Sequence, residues 1–162
     1  MGRTLLLLCL AAALAVPAAL SAASPSDGTL SVKRGRGSDT LKLRGTVIGR
    51  FANGRVRIKD LTPLDGQTPQ FVHCRGGVKA IDAWTTMCTG RNVSFRALDG
   101  RYVVNLKGTG IFVSAVGRGK VVVTGAGDPG IPNGVMSLNG AAYLPIPDGP
   151  STFVLGTPPT RR

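Results

Sequence analysis

One pattern of alternating residues punctuated by glycine is written twice in this chain, and that self-similarity restricts the fold more than any other feature. Residues 31–46 (SVKRGRGSDTLKLRGT) align without gaps to residues 94–109 (SFRALDGRYVVNLKGT), at a constant offset of 63 positions. Ser31 matches Ser94, Gly37 matches Gly100, Leu43 matches Leu106, Gly45 matches Gly108 and Thr46 matches Thr109. Charge is kept at Lys33/Arg96 and Arg44/Lys107. After a two-residue insertion, Asn53–Ile58 aligns to Arg118–Val123. The related copies therefore run from about 30 to 60 and from about 93 to 125.

Within each copy apolar and polar residues alternate, as in Leu41/Leu43 against Lys42/Arg44, or Val56/Ile58 against Arg55/Arg57/Lys59. A period of two places successive side chains on opposite faces of a strand and implies one wet face. Val121–Val123 is apolar on both faces and reads as more central. The glycines between runs have the grammar of hairpin turns, where a positive φ is needed. Strands are expected at about 29–33, 40–50, 55–60, 70–75, 92–97, 101–107, 110–115, 120–124, 142–146 and 152–155. Only Val78–Thr89 could host a short helix. The expected fold is all-β, an antiparallel sandwich or closed barrel built from an internal duplication, with a β-solenoid as the alternative.

Composition agrees. All eight acids are Asp, and a chain with no Glu, 23 Gly and 11 Pro is a poor helix former, which excludes a bundle or coiled coil. Eighteen of the first 23 residues are hydrophobic, and behind Arg3 they form an apolar run ending in Ser21, Ala22 and Ala23. This segment, 1–23, reads as a secretory signal peptide and leaves 24–162 as a single domain. Cys9 lies inside the run, where a lipid-anchoring cysteine does not belong. The expected product is secreted or associated with the cell envelope, without a membrane span after cleavage.

Cleavage leaves two cysteines, Cys74 and Cys88, and in an oxidising compartment an even pair is most simply a disulfide. A metal site on His73, Cys74 and Cys88 is disfavoured, because neighbours on a strand point to opposite faces. No metal and no cofactor is expected.

The formal net charge of +12 comes from 20 Lys+Arg against 8 Asp. Positive charge concentrates at Lys33, Arg34, Arg36, Lys42, Arg44, Arg50, Arg55, Arg57 and Lys59. Among these, Lys42, Arg44, Arg55, Arg57 and Lys59 are the candidate binding residues, since the alternation puts them on the solvent faces of adjacent strands. Such a stripe favours an anionic cell-wall or surface polymer as partner, although surface strands also carry Lys and Arg simply to avoid pairing. Leu43–Arg50 with Gly54–Asp60 also looks like the first two strands of an oligonucleotide-binding barrel. Such barrels stack bases on aromatic platforms, and here only Phe51 lies inside the basic run, so nucleic acid is the weaker alternative.

Catalytic inventory is thin. There is one histidine, His73, no Gly-x-Ser-x-Gly elbow for a nucleophile, and no phosphate-loop or dinucleotide fingerprint. Most Asp residues sit beside Gly or Pro, where turn chemistry explains them. A non-catalytic role is therefore expected, with a hydrolase centred on His73 as the lesser alternative.

The glycine-flanked basic turns, residues 110–119 (GIFVSAVGRG) and residues 139–149 (NGAAYLPIPDG) resemble small exported all-β proteins of unknown function from high-GC bacteria. The excess of 14 Arg over 6 Lys agrees with such a source. The resemblance implies an exported all-β domain and assigns no functional residues.

Overall fold

A computed structural model describes Ser24 and residues 26–157; the segment 1–23, expected to be a signal peptide, lies outside the described residues. The described chain is all-β, in the order β1 (Gly28–Asp60), β2 (Gln70–His73), β3 (Val78–Asp82), β4 (Thr85–Gly125), β5 (Val135–Leu138), β6 (Leu144–Pro145) and β7 (Ser151–Leu155). Two strands dominate. β1 and β4 are 33 and 41 residues long, many times the usual strand of about six residues.

Strands of that length stay compact because they wind around each other. Thr40 pairs with both Asn105 and Val122, and Asn105 pairs with both Thr40 and Arg57. β1 and β4 thus form an antiparallel ribbon that rolls up and hydrogen-bonds to its own next turn. The roll is flattened into two layers. The first contains 28–35, 109–117, 45–52 and 91–98, flanked by β5 and β6 on one side and β2 on the other. In the second lie 85–89, 54–60, 101–108, 37–44 and 119–125, flanked by β3 and β7. The architecture is sandwich-like and antiparallel, and its sheet does not close into a barrel.

Glycine makes the rolling possible. Gly28, Gly117, Gly45 and Gly100 are successive cross-strand neighbours along one edge of the sandwich, and Gly125, Gly37, Gly108, Gly54 and Gly90 along the other. At these edges the strands bend from one layer into the other. Gly45 has φ 143° and Gly54 has φ 152°, which side chains disfavour. A Cβ on Gly45 would overlap the Val116 carbonyl and lie 2.8 Å from Gly117 Cα; one on Gly54 would overlap the Lys107 carbonyl and lie 2.7 Å from Gly108 Cα. The backbones meet where no side chain fits. The glycines expected to reverse hairpins therefore kink strands that continue.

Each layer turns one face inward. Leu30, Val32, Val47, Phe51, Val93, Phe95, Ile111 and Val113 come from the first layer, and Leu41, Leu43, Val56, Ile58, Tyr102, Val104, Leu106, Val121 and Val123 from the second; all join one buried cluster. Full burial of such side chains contributes roughly 1.5–3 kcal/mol each. Tyr102 lies over Gly100, and its hydroxyl donates to the Leu98 carbonyl at 2.8 Å. Burial is the main cause that raises its pKa to about 12.

Two local expectations are corrected. Val78–Thr89 forms no helix: β3 pairs with the start of β4, Val78 opposite Cys88 and Asp82 opposite Thr85, with Ala83 and Trp84 between. The β-branched Val78 and Ile81 suit a strand, and the Asp82 carboxylate accepts the Trp84 N–H at 2.9 Å to fix the turn. The oligonucleotide-binding reading also fails at its first step. Leu43–Arg50 and Gly54–Asp60 are not a paired hairpin; they are consecutive stretches of β1 on either side of the Gly54 kink, and both pair with β4.

Cys74 and Cys88 form the expected disulfide, with Cα atoms 6.1 Å apart. It ties the excursion carrying β2 and β3 to the core, where Cys88 is fully buried. A cross-link closing a loop of this size contributes on the order of 3 kcal/mol in the chain-entropy model.

Candidate anion-binding face

The alternation that buries Leu41, Leu43, Val56 and Ile58 turns Lys42, Arg44, Arg55, Arg57 and Lys59 outward, and all five are exposed on the outer face of the second layer. They do not act as a β1 feature alone. The ribbon inserts 101–108 of β4 between the two β1 stretches and sets 119–125 beyond them, bringing Arg101, Lys107, Arg118 and Lys120 to the same face.

The register arranges these groups in rows. Lys59 is opposite Val103, Val103 opposite Lys42, and Lys42 opposite Lys120. In the next row Arg44 has Arg101 on one side and Arg118 on the other. Arg55 is opposite Lys107, whose other neighbour is Ser38. Arg57 has a neutral residue on each side, Met87 and Asn105, with Thr40 and Val122 beyond Asn105 and Lys79 of β3 beyond Met87, and Thr40 donates to Asn105 at 3.1 Å. With strands about 4.8 Å apart and about 3.3 Å per residue, the nine cations occupy roughly 14 by 20 Å.

Little neutralises them. Of the nine, Arg118 alone forms an ion pair among the described residues, to Asp27 at 3.0 Å, with a further bond to Ser24 Oγ at 3.0 Å. Asp82, at the margin near Lys59, is held below the usual carboxylate range chiefly by the Trp84 N–H. Lys42, Arg44, Leu61, Arg101, Arg118 and Lys120 line a shallow depression of about 670 Å³, closed on one side by Val154 and Leu155 of β7.

Of the four remaining cations of the basic run, three have partners elsewhere, and Arg34 is exposed with no side-chain partner among the described residues. Lys33 sits 4.0 Å from the Tyr143 ring centroid and Arg50 4.6 Å from that of Phe112. Arg36 pairs with Asp128 at 2.6 Å. On the outer face of the first layer Arg96 is likewise engaged, by the Gln70 side-chain oxygen at 2.9 and 2.6 Å. The nine charges of the basic run thus divide by face: Lys33, Arg36 and Arg50 brace the first layer and the edge, Arg34 stays exposed, and the five on the second layer have no ion pair among the described residues.

His73 pairs with Ser94 and shares a hollow of about 440 Å³ with Arg50, Asn92 and Phe112, a lining without aspartate. Cys74 and Cys88, the other ligands of the metal alternative, are consumed by their disulfide. Asp39 was hidden from sequence reasoning: its carboxylate points inward between Leu106 and Val123, its Oδ2 has no hydrogen-bond partner, and burial raises its pKa to about 7. An acid at an inward position of the alternating pattern was the available signal. Comparison of the chain with family models, with curated proteins and with solved structures finds no match.

Proposed function

We propose that this chain is a non-catalytic exported β-domain with a structural or interaction role at the bacterial cell envelope, and that it contacts anionic polymers through the outer face of its second layer. The observation that carries this reading is the gathering of nine cations from both long strands onto one face, with a single ion pair among them. A surface of one sign raises the local concentration of an extended counter-charged polymer. The disulfide suits an oxidising compartment, and no helix among the described residues is long and apolar enough to cross a membrane.

Retention on purified bacterial cell wall tests the proposal. The oxidised protein is expected to bind at low ionic strength and to elute as salt shortens the Debye length from about 30 Å at 0.01 M to about 8 Å at 0.15 M. A triple variant, Lys42→Gln, Arg44→Gln and Arg57→Gln, should lose most of that retention. Binding that ignores both salt and the triple substitution would overturn the reading.

A further inference from the structure

We infer that the row Arg101, Arg44, Arg118, with Lys42 and Lys120 beside it, is a subsite for phosphodiester groups of the bound polymer. The inference rests on the proposed role of the face and adds the chemistry of the ligand. Side chains directly opposite on antiparallel strands have Cβ atoms about 4.5–5.5 Å apart, and like charges in that position destabilise the pairing. Arg44 meets a like charge on both sides, Arg101 without an ion pair among the described residues and Arg118 offset in part by Asp27, and the neighbouring row repeats the conflict at Lys42 and Lys120. A face made basic only for solubility has no need of this. The row of Arg57 shows the alternative, a cation whose direct neighbours Met87 and Asn105 are both neutral, the nearest like charge, Lys79, lying a strand further away.

An anion seated between the rows removes the repulsion. The geometry favours phosphate over carboxylate. A carboxylate accepts mainly in its own plane and matches a single guanidinium fork, whereas the two free oxygens of a phosphodiester project from a tetrahedral centre and can accept from two forks that are not coplanar. Arg44 and Arg101 supply adjacent forks and Arg118 the part of its guanidinium not bonded to Asp27 and Ser24, while Lys42 and Lys120 supply point charges at the same depression. Leu61 and the exposed Val154 line opposite margins of the depression and give it apolar borders beside the cations. A polymer is favoured over an isolated phosphate because the cations continue beyond the depression to Lys59, Arg57, Arg55 and Lys107.

The test compares Arg44→Gln with Arg57→Gln, each removing one charge from the same face of the oxidised protein. Short-chain inorganic polyphosphate and polyglutamate of matched charge are titrated at low salt. Arg44→Gln should weaken polyphosphate binding about tenfold and Arg57→Gln less than about threefold, while polyglutamate should respond to both alike. Without ligand and at low salt, Arg44→Gln should raise the thermal midpoint, because it relieves the like-charge pair with Arg101, whereas Arg118 is already paired with Asp27. Equal losses of polyphosphate binding in the two variants would overturn the subsite and leave the basic face as a uniform field. Failure of the wild type to bind either polyanion would remove the broader reading as well. Binding to vesicles of anionic phospholipid with none to polyphosphate would also overturn the inference, because it moves the ligand from a polymer to a lipid surface.

Discussion

Gly54→Ala is expected to destabilise the protein by about 3 kcal/mol or more. Two independent penalties meet at this position. With φ at 152°, the backbone conformation disfavours any side chain, and such strain costs of order 1–3 kcal/mol. The new Cβ would also overlap the Lys107 carbonyl and crowd Gly108 Cα at 2.7 Å. Backbone on the facing strand cannot yield as a flexible side chain could, and overpacking adds about 1–3 kcal/mol. The bend cannot simply relax, because Gly54 is paired on both sides, to Gly90 and to Gly108. Gly149→Ala is the control, since a Cβ there would meet nothing within 4 Å and the φ of Gly149 is not positive. Denaturant unfolding of the oxidised variants should give near-wild-type stability for Gly149→Ala. A loss below about 1 kcal/mol for Gly54→Ala would contradict the edge geometry.

Asp39→Asn should have the opposite sign and a strong pH dependence. The folded pKa of Asp39 is about 7 against an ordinary 3.8, and burial is the cause. The folded state therefore holds the Asp39 proton more tightly than the unfolded chain does. Its stabilising contribution is complete below pH 3.8 and is lost as pH rises through about 7. At 1.36 kcal/mol per pKa unit, the wild type should lose about 2–3 kcal/mol from this residue between pH 5 and pH 8. Asparagine keeps the shape without the ionisation, so its advantage over Asp39 should grow across the same interval. Chemical unfolding of both proteins at pH 5, 6, 7 and 8 measures the difference. A stability gap that does not change with pH would show that the carboxyl is not held neutral between Leu106 and Val123.

These two residues mark how far the sequence could be read. The period of two placed Leu41, Leu43, Val56 and Ile58 inside and Lys42, Arg44, Arg55, Arg57 and Lys59 outside, and the structure agrees at every one. Side-chain alternation is local, so a single sequence displays it. Whether a glycine reverses a strand or only bends it depends on which distant backbone lies alongside, and Gly45 and Gly54 have their partners on β4. That information is not local. The aligned positions Leu41 and Val104 turn out to be direct cross-strand neighbours, so the two similar stretches lie side by side as the strands of one ribbon.

The same distinction explains the candidate site. Five cations could be assigned to one face from β1 alone, whereas Arg101, Lys107, Arg118 and Lys120 join them only through the pairing of β4 on both sides of β1. Lys33 and Arg50, adjacent in sequence to the five, are carried to the other layer by the bends and are used there against Tyr143 and Phe112. Asp39 illustrates the limit of reading acids from their neighbours. Most aspartates here do serve turns, as Asp65 does by accepting the Gln67 N–H at 2.9 Å, but Asp39 occupies an inward strand position.

The most direct test of a polyanion-binding second layer is residue-resolved NMR of the oxidised protein titrated with polyphosphate at low salt. Amide shifts are expected to concentrate in 37–44, 54–60, 101–108 and 117–122, with the largest around Arg44, Arg101 and Arg118, and to fade as salt is added. Shifts centred on Lys33, Arg50 and Arg96, or spread evenly over both layers, would contradict it.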